Sequence, residues 1–240
     1  MPSTKYVQRS RFLILISRYP NTSTLRERAM AFLLDKLISA RRFLFHLTAS
    51  ENLVHIRQTA LLKPAAALMR RAKRIELLRA RRSTHVPSQT GKRSIVLRDQ
   101  SPLHRRNVEL LDGFGFEDFV ESLNNRVFFW PGKDGGPSDY GVRHFERYEN
   151  EHPVILRVGF RSLVAANPSA KPLFCAYNSG SPRCYMGNKS PRGPNTFLEA
   201  QRFAGTLSEV VEVTFEREIL LPSDTEYAQH PTGKWRTLFG

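Results

Sequence analysis

Phe45-His46-Leu47-Thr48-Ala49-Ser50-Glu51-Asn52-Leu53-Val54-His55-Ile56 lies between two helical patterns and decides how the chain is assembled. Upstream, Leu25, Met30, Leu33, Leu34, Leu37, Ile38 and Leu44 recur mostly at three- and four-residue steps, which predicts an amphipathic helix from Thr24 to about Phe45. It delivers the chain to His46. Downstream, Leu53 and Ile56 share one face of a short helix over Ser50 to Thr59, with Ser50 as N-cap. His46 is thereby expected at a junction between two helices. A further helix is expected from Pro64 to Arg82. Its apolar face is Ala65, Leu68, Met69, Ala72, Ile75 and Leu78, and its other face is basic, with Arg70, Arg71, Lys73, Arg74, Arg79, Arg81 and Arg82 on or just beyond it.

The character then changes. Ser83 to Ser94 is a Ser-, Thr-, Pro- and Gly-bearing loop, and Phe116 to Leu123 is a short helix. Arg126 to Trp130 is a strand stopped by Pro131-Gly132, and Pro153 to Phe160, Leu173 to Tyr177 and Val210 to Phe215 are further strands. Helices followed by strands and long loops, without regular alternation, predict an α+β domain. Residues 1–29 are expected to be a disordered basic tail and 30–240 a single domain. Met30 offers an alternative start that would leave the His46 segment intact.

The 240-residue chain carries a net charge of +15, all of it from the first half: residues 1–106 hold 23 Lys/Arg against 5 Asp/Glu, and residues 107–240 hold 14 against 17. Such asymmetry favours a polyanionic partner, nucleic acid before membrane. A solvated basic face is the plainer explanation. The apolar run Phe12 to Ile16 is too short for a membrane span, so no membrane partner and a cytoplasmic location are expected. Cys175 and Cys184 could pair, but two thiols make no disulfide framework and no Cys/His spacing resembles a metal site. Reduced thiols and no metal are expected.

The common catalytic signatures fail: there is no phosphate-binding glycine loop, no dinucleotide fingerprint, no His-Glu-x-x-His and no Gly-x-Ser-x-Gly. The segment from Phe45 to Ile56, however, resembles the aromatic-His-x-Thr-x-x-x-Asn-Leu-x-x-Ile opening of the DarT-type DNA ADP-ribosyltransferases and related bacterial families. Leu123 to Trp130 looks like the aromatic strand of those proteins, and Val211 to Phe215 like the final strand that bears their catalytic glutamate. The resemblance spans roughly residues 40 to 225 and is most specific in its first segment. It implies an ADP-ribosyltransferase-like α+β fold, with N-terminal helices followed by a mainly antiparallel split sheet.

What the resemblance implies for chemistry is NAD-dependent transfer of ADP-ribose, with NAD as substrate. His46 would hydrogen-bond a ribose of NAD, Thr48 and Asn52 would assist, and Phe128 and Phe129 would line the nicotinamide pocket. Glu212 would be catalytic, with Glu209 the next choice, and Arg98 would supply the expected arginine near the phosphates or the nicotinamide ribose. The reaction passes through an oxocarbenium-like transition state, which a carboxylate beside the sugar stabilises. Strict alternation sets Val211, Val213 and Phe215 on one face of the last strand and Glu212, Thr214 and Glu216 on the other. An ordinary strand with solvated acids would look the same. Asn52 would contact ligand or fix the turn, and Arg98 would serve the site or pair with an aspartate.

Two features stand apart. Ala60-Leu61-Leu62 occupies the place where the resembled proteins usually have Gly-Leu, so the turn after the first motif helix must be made without glycine. Tyr177 to Asn195 is a long Gly/Pro-rich segment, either a substrate-recognition loop or a disordered insertion. Arg70, Arg71, Lys73 and Arg74 would hold the backbone of a nucleic-acid acceptor or face solvent. An antitoxin partner fits a toxin-like transferase, and the oligomeric state is left open. The alternatives from other classes are a non-catalytic nucleic-acid-binding protein that keeps the fold, and a structural protein with an ordinary basic surface.

Overall fold

The computed structural model describes residues 33–90 and 93–240. The tail over 1–29, the start at Met30 and the first part of the expected first helix lie outside the described residues. Helix α1 (33–40) ends at Ala40, and the chain passes directly into β1 (Phe43–Thr48). His46 therefore lies inside a strand and not at a junction of helices. The misreading has a physical cause: Leu44, Phe45, Leu47 and Thr48 are all buried, and a strand buried on both faces lacks the alternation that separates it from a helix.

Helix α2 (Asn52–Thr59) forms as expected, but its N-cap is Glu51, and the Ser50 hydroxyl bonds the Glu51 carboxylate at 3.1 Å. Ala60 then takes the left-handed conformation, φ 54°, and turns the chain into β2 (Leu61–Leu62). The turn is thus made without glycine, by an alanine in the left-handed conformation. Helix α3 (Ala65–Arg71) stops well short of Arg82, because Lys73 adopts φ 56° and only a 3-10 turn over Ile75–Leu77 follows. The presumed loop after Ser83 contains β3 (Val86–Thr90), paired antiparallel with β4 (Arg93–Leu97).

After β5 (Val108–Leu110), α4 (Phe116–Asn124) leads into β6 (Val127–Lys133). Pro131-Gly132 does not stop this strand. Pro131 lacks an N–H, yet its carbonyl accepts from Ser138 N at 3.1 Å, and β6 folds back on β7 (Gly136–Pro137). A Cβ on Gly132 would sit 2.3 Å from the Gly136 carbonyl and 2.6 Å from the Phe45 ring, so only glycine fits there. Helix α5 (Asp139–Tyr148), which was not among the expected elements, precedes β8 (Val154–Gly159) and α6 (Phe160–Ala166). The remainder is short strands: β9 (Leu173–Cys175), β10 (Ser190–Arg192), β11 (Leu198–Glu199), β12 (Glu212–Phe215), β13 (Ile219–Leu220), β14 (Glu226–Ala228) and β15 (Arg236–Thr237).

The main sheet has the order β11-β9-β12-β6-β1-β8-β14-β15, with β7 attached to β6, and every pairing in it is antiparallel. The fold is mixed α and β around this sheet. One face carries the largest core cluster, including Leu44, Phe129, Leu156, Phe174, Val213 and Phe215. On the other, Phe45, Leu47, Trp130 and Ile155 pack against Phe145 and Tyr148 of α5.

The register opens the sheet at its centre. β1 pairs with β8 along all six residues, but with β6 only at Phe43–Gly132, Leu44–Pro131 and Phe45–Trp130. Beyond that point, β6 pairs on its other edge with β12, from Val213–Phe129 to Phe215–Val127. The stretch from His46 to Thr48 therefore parts from the stretch from Val127 to Phe129.

Candidate functional site

A cavity of about 270 Å³ lies at this parting. β1 contributes His46 and Thr48, α2 contributes Asn52, the end of β4 contributes Arg98, β6 contributes Phe128, and β12 contributes Glu212. Residues far apart in sequence thus face one space. Phe129 does not join them: strand alternation turns it into the core, where its ring meets Phe215 edge-on at 5.9 Å. It touches the site only from behind, with its ring 5.6 Å from that of His46.

His46 is fixed by one bond. Its Nδ1 lies 2.9 Å from the Phe128 carbonyl, and because a carbonyl only accepts, Nδ1 carries the hydrogen. Burial drives the imidazole down to about 4, an effect the Phe128 carbonyl opposes and the Arg98 charge reinforces. The ring is neutral at pH 7, and its Nε2 is an acceptor on a wall of the cavity. That suits a hydroxyl donor.

Thr48 and Asn52 form a rigid support. Asn52 Nδ2 donates to Thr48 Oγ1 at 3.1 Å and to the Val96 carbonyl at 3.0 Å, while its Oδ1 accepts from Val96 N at 2.8 Å. The side chain clamps β4 to α2 while it lines the cavity. The clamp holds the strand end that presents Arg98.

The Arg98 guanidinium carbon lies 3.9 Å from the centroid of the Tyr148 ring, and Nη2 is 3.7 Å from Glu151. Burial lowers its pKa, against the pull of Tyr148, Glu151 and Asp99. Nε and Nη2 are buried without a hydrogen-bond partner among the described residues. Buried donors of this kind cost about 1–3 kcal/mol each when unsatisfied, so the arrangement is poised for an acceptor. Asp99 is engaged elsewhere, by Ser101 N at 2.7 Å and the Tyr148 hydroxyl at 2.9 Å.

Glu212 is 3% exposed. The backbone N–H of Ser179 donates to its Oε1 at 3.1 Å, and the Ser179 hydroxyl to its Oε2 at 2.6 Å. Burial pushes the carboxyl up to about 7, while the Ser179 bonds and the Arg192 charge pull it back. Arg192, itself buried, ties down the segment that carries Ser179: it donates to the Asn178 carbonyl at 3.2 Å and lies over the Tyr177 ring at 4.4 Å. Tyr177 to Asn195 is thus built into the fold, with Asn178, Ser179 and Gly180 on the cavity wall and β10 inside it. Thr214 is fully buried, so the face of β12 that carries Glu212 is covered, not solvated. Glu209, the second choice, is exposed and caps a 3-10 turn through Thr206.

Sequence inspection missed Ser179, His144 and Tyr148. The last two arrive on α5, where Gly141, Phe145 and Tyr148 are buried at helical spacing, a pattern visible in the sequence although it contains few aliphatic residues. His144 lies against Trp130, with ring centroids 4.7 Å apart, and burial together with the Arg98 and Arg147 charges drives it down to about 3. Ser179 has no local signature. Only the fold carries it to Glu212.

Arg70, Arg71, Lys73 and Arg74 stand away from this cavity. Arg70, Arg71 and Lys73 are exposed, Arg70 reaches Asn125 at 3.4 Å, and Arg74 pairs with Glu76. The continuous basic face expected through Arg82 is broken up. Arg79 pairs with Asp118, and Arg82 is buried on the Arg98 carbonyl and Asn124 Oδ1, both at 2.8 Å. Cys175 and Cys184 are both free thiols. Among the described residues no group of His, Cys, Asp and Glu could hold a metal ion, and no helix is long and apolar enough to cross a membrane.

The class of protein these features define is an α+β protein with a parted antiparallel sheet. A neutral imidazole, a half-buried arginine and a buried glutamate share the cavity at the parting. The chain belongs to the family of unknown function DUF7002, whose profile matches residues 42–225 and so takes in every residue named on the cavity wall. No curated protein and no solved structure matches it.

Proposed function

We propose that the protein is an NAD-dependent ADP-ribosyltransferase that acts on nucleic acid, toxin-like in character. The observation that carries this reading is that an imidazole acceptor, a guanidinium with unsatisfied donors and a buried carboxylate border one cavity. At about 270 Å³ the cavity is just below the usual range for small-molecule sites, roughly 300–1,000 Å³. It suits the nicotinamide-ribose end of NAD, with the rest of the dinucleotide extending outward.

The residues fit such a ligand. Nε2 of His46 accepts a ribose hydroxyl, and Arg98 donates to a phosphate or ribose oxygen. Phe128 supplies an aromatic wall. Bound NAD supplies a C1′–N bond whose electron pair leaves with nicotinamide as the acceptor base attacks C1′. Glu212, as carboxylate, stabilises the positive charge that develops on the ribose and takes the proton released by the acceptor. Ser179 holds that carboxylate in place, and an acceptor base must be single-stranded or extruded to reach it.

The test is incubation with labelled NAD and single-stranded nucleic acid, alongside a thermal melt with and without NAD. Label transfer that Glu212→Gln abolishes, with a rise in melting temperature on adding NAD to both forms, is the expected result. If neither transfer nor hydrolysis occurs and NAD leaves the melting temperature unchanged, the reading fails. The alternative then stands: a non-catalytic nucleic-acid-binding protein that retains the fold.

A further inference from the structure

A second cavity, of about 160 Å³, adjoins the first, with His144 and Asn178 in the walls of both. Arg143, Arg147, Arg183 and Arg192 line it, and no aspartate or glutamate does. Arg143 and Arg147 stand one turn apart on α5, about 6 Å along its axis. Arg183 follows Ser179 in the same segment, and Arg192 closes the cavity from β10.

Along the expected basic helix, Arg74 and Arg79 are paired with acids. Among the described residues, no ion pair joins Arg143, Arg147, Arg183 or Arg192 to an acid. Arg192 is 1% exposed, and its Nε is buried without a hydrogen-bond partner. Guanidinium groups gathered around a small concavity repel one another unless an anion is shared between them, and their planar donor forks match phosphate oxygens. A third concavity continues outward and shares Arg147 and Arg183 with the second, adding Arg81 and His104. The Arg81 guanidinium rests on the Gln100 and Ser101 carbonyls, which leave its charge uncancelled.

We infer that these two concavities are the binding track for the phosphodiester backbone of a single-stranded nucleic acid, which enters past Arg81 and Arg183 and ends at His144 beside the first cavity. The spacing of Arg143 and Arg147 suits neighbouring phosphates, and the cleft between α5 and the 177–183 segment suits one strand. That a base is then presented to the first cavity rests on the transferase reading. The track itself does not.

The test is fluorescence anisotropy of a labelled single-stranded oligonucleotide of mixed sequence, titrated over a range of salt concentrations. It compares the full chain with the triple variant Arg143→Gln/Arg147→Gln/Arg183→Gln and the control Arg70→Gln/Arg71→Gln/Lys73→Gln. All six side chains are exposed, and unchanged melting temperatures would show that both variants fold. The track variant is expected to bind at least about tenfold more weakly and to flatten the log–log salt slope by about 2, as three lost phosphate contacts require. The control keeps wild-type affinity. No oligonucleotide binding by the wild type, equal binding by both variants, or loss confined to the control overturns the track. An NAD melt on the same samples separates the two readings: lost oligonucleotide binding with no NAD effect in any sample overturns the transferase and leaves the track standing.

Discussion

The imidazole of His46 donates to the main-chain carbonyl of Phe128 across the point where β1 and β6 part. This bond sets the tautomer and the direction of the ring, and burial keeps the ring neutral. The same logic of a single fastening governs Glu212 through Ser179, and the testable consequences follow from these two attachments and from the packing around them.

Glu212→Gln should lower transfer by on the order of 10²–10³, the usual cost of removing one charge-stabilising group, while NAD still raises the melting temperature. Because burial lifts the carboxyl to about 7, wild-type transfer should rise with pH through neutrality as the carboxylate forms. Ser179→Ala removes the hydroxyl bond to Glu212 Oε2, which favours the carboxylate, while the backbone N–H bond to Oε1 stays, and it should move that midpoint to higher pH. An unmoved midpoint would show that Ser179 does not position the reacting group.

Stability should fall on mild acidification. His46 and His144 have folded pKa values of about 4 and about 3, below the ordinary 6.5. The unfolded chain therefore binds protons that the folded one refuses, and stability is lost as pH falls below about 6.5. Glu212 works the other way between about 7 and 4.5, since its folded pKa is raised and its protonation on acidification favours the folded state. Two groups against one leave a net slope of about 1.4 kcal/mol per pH unit from about 6.5 to 4.5. Urea titrations across this range would measure it, and a flat profile would contradict the buried neutral histidines.

Neighbouring phenylalanines should behave oppositely. Phe129→Ala empties a fully buried site against Phe215 and should cost about 3–5 kcal/mol. Phe128 is only partly buried on the cavity wall, so Phe128→Ala should cost distinctly less stability and weaken NAD binding more. Denaturant melts paired with NAD titration separate the two effects.

Ala60→Gly should raise stability by about 1 kcal/mol, since an L residue at φ 54° carries a steric cost that glycine escapes. A loss of stability would mean that the methyl group packs more favourably than the backbone is strained.

Thr214→Val should be neutral or stabilising by about 1 kcal/mol. The Thr214 hydroxyl is buried on β12 without a hydrogen-bond partner among the described residues, and valine keeps the shape without the unsatisfied group. Clear destabilisation would show that the hydroxyl is satisfied in solution.

The parts of this molecule legible in its sequence were those with a local signal. Phe116–Asn124 has helical spacing and an acidic first turn, and the strands at Val127, Val154, Leu173 and Glu212 are apolar runs bounded by Gly, Pro or polar residues. β1 was misread because burial on both faces erases its period, and α3 was overextended because nothing in Arg71-Ala72-Lys73 announces a left-handed lysine. The wall residues His46, Thr48, Asn52, Arg98, Phe128 and Glu212 could be named in advance because a motif resemblance pointed to them. Ser179, Arg192 and His144 could not, since the first two acquire their meaning from Glu212, 33 and 20 residues further along the chain, and the third from a helix that went unrecognised. The basic helix is not continuous, because α3 ends at Arg71, and side-chain neighbours invisible in the sequence engage Arg74, Arg79 and Arg82 one by one.

Between β1 and β6 the sheet is stitched by three backbone pairs and then by one side chain. His46 takes the place of the missing rung, its Nδ1–H meeting the Phe128 carbonyl beyond the last paired residues. Any guest that enters there meets a wall whose two strands are joined, past the last backbone pair, by that one side chain.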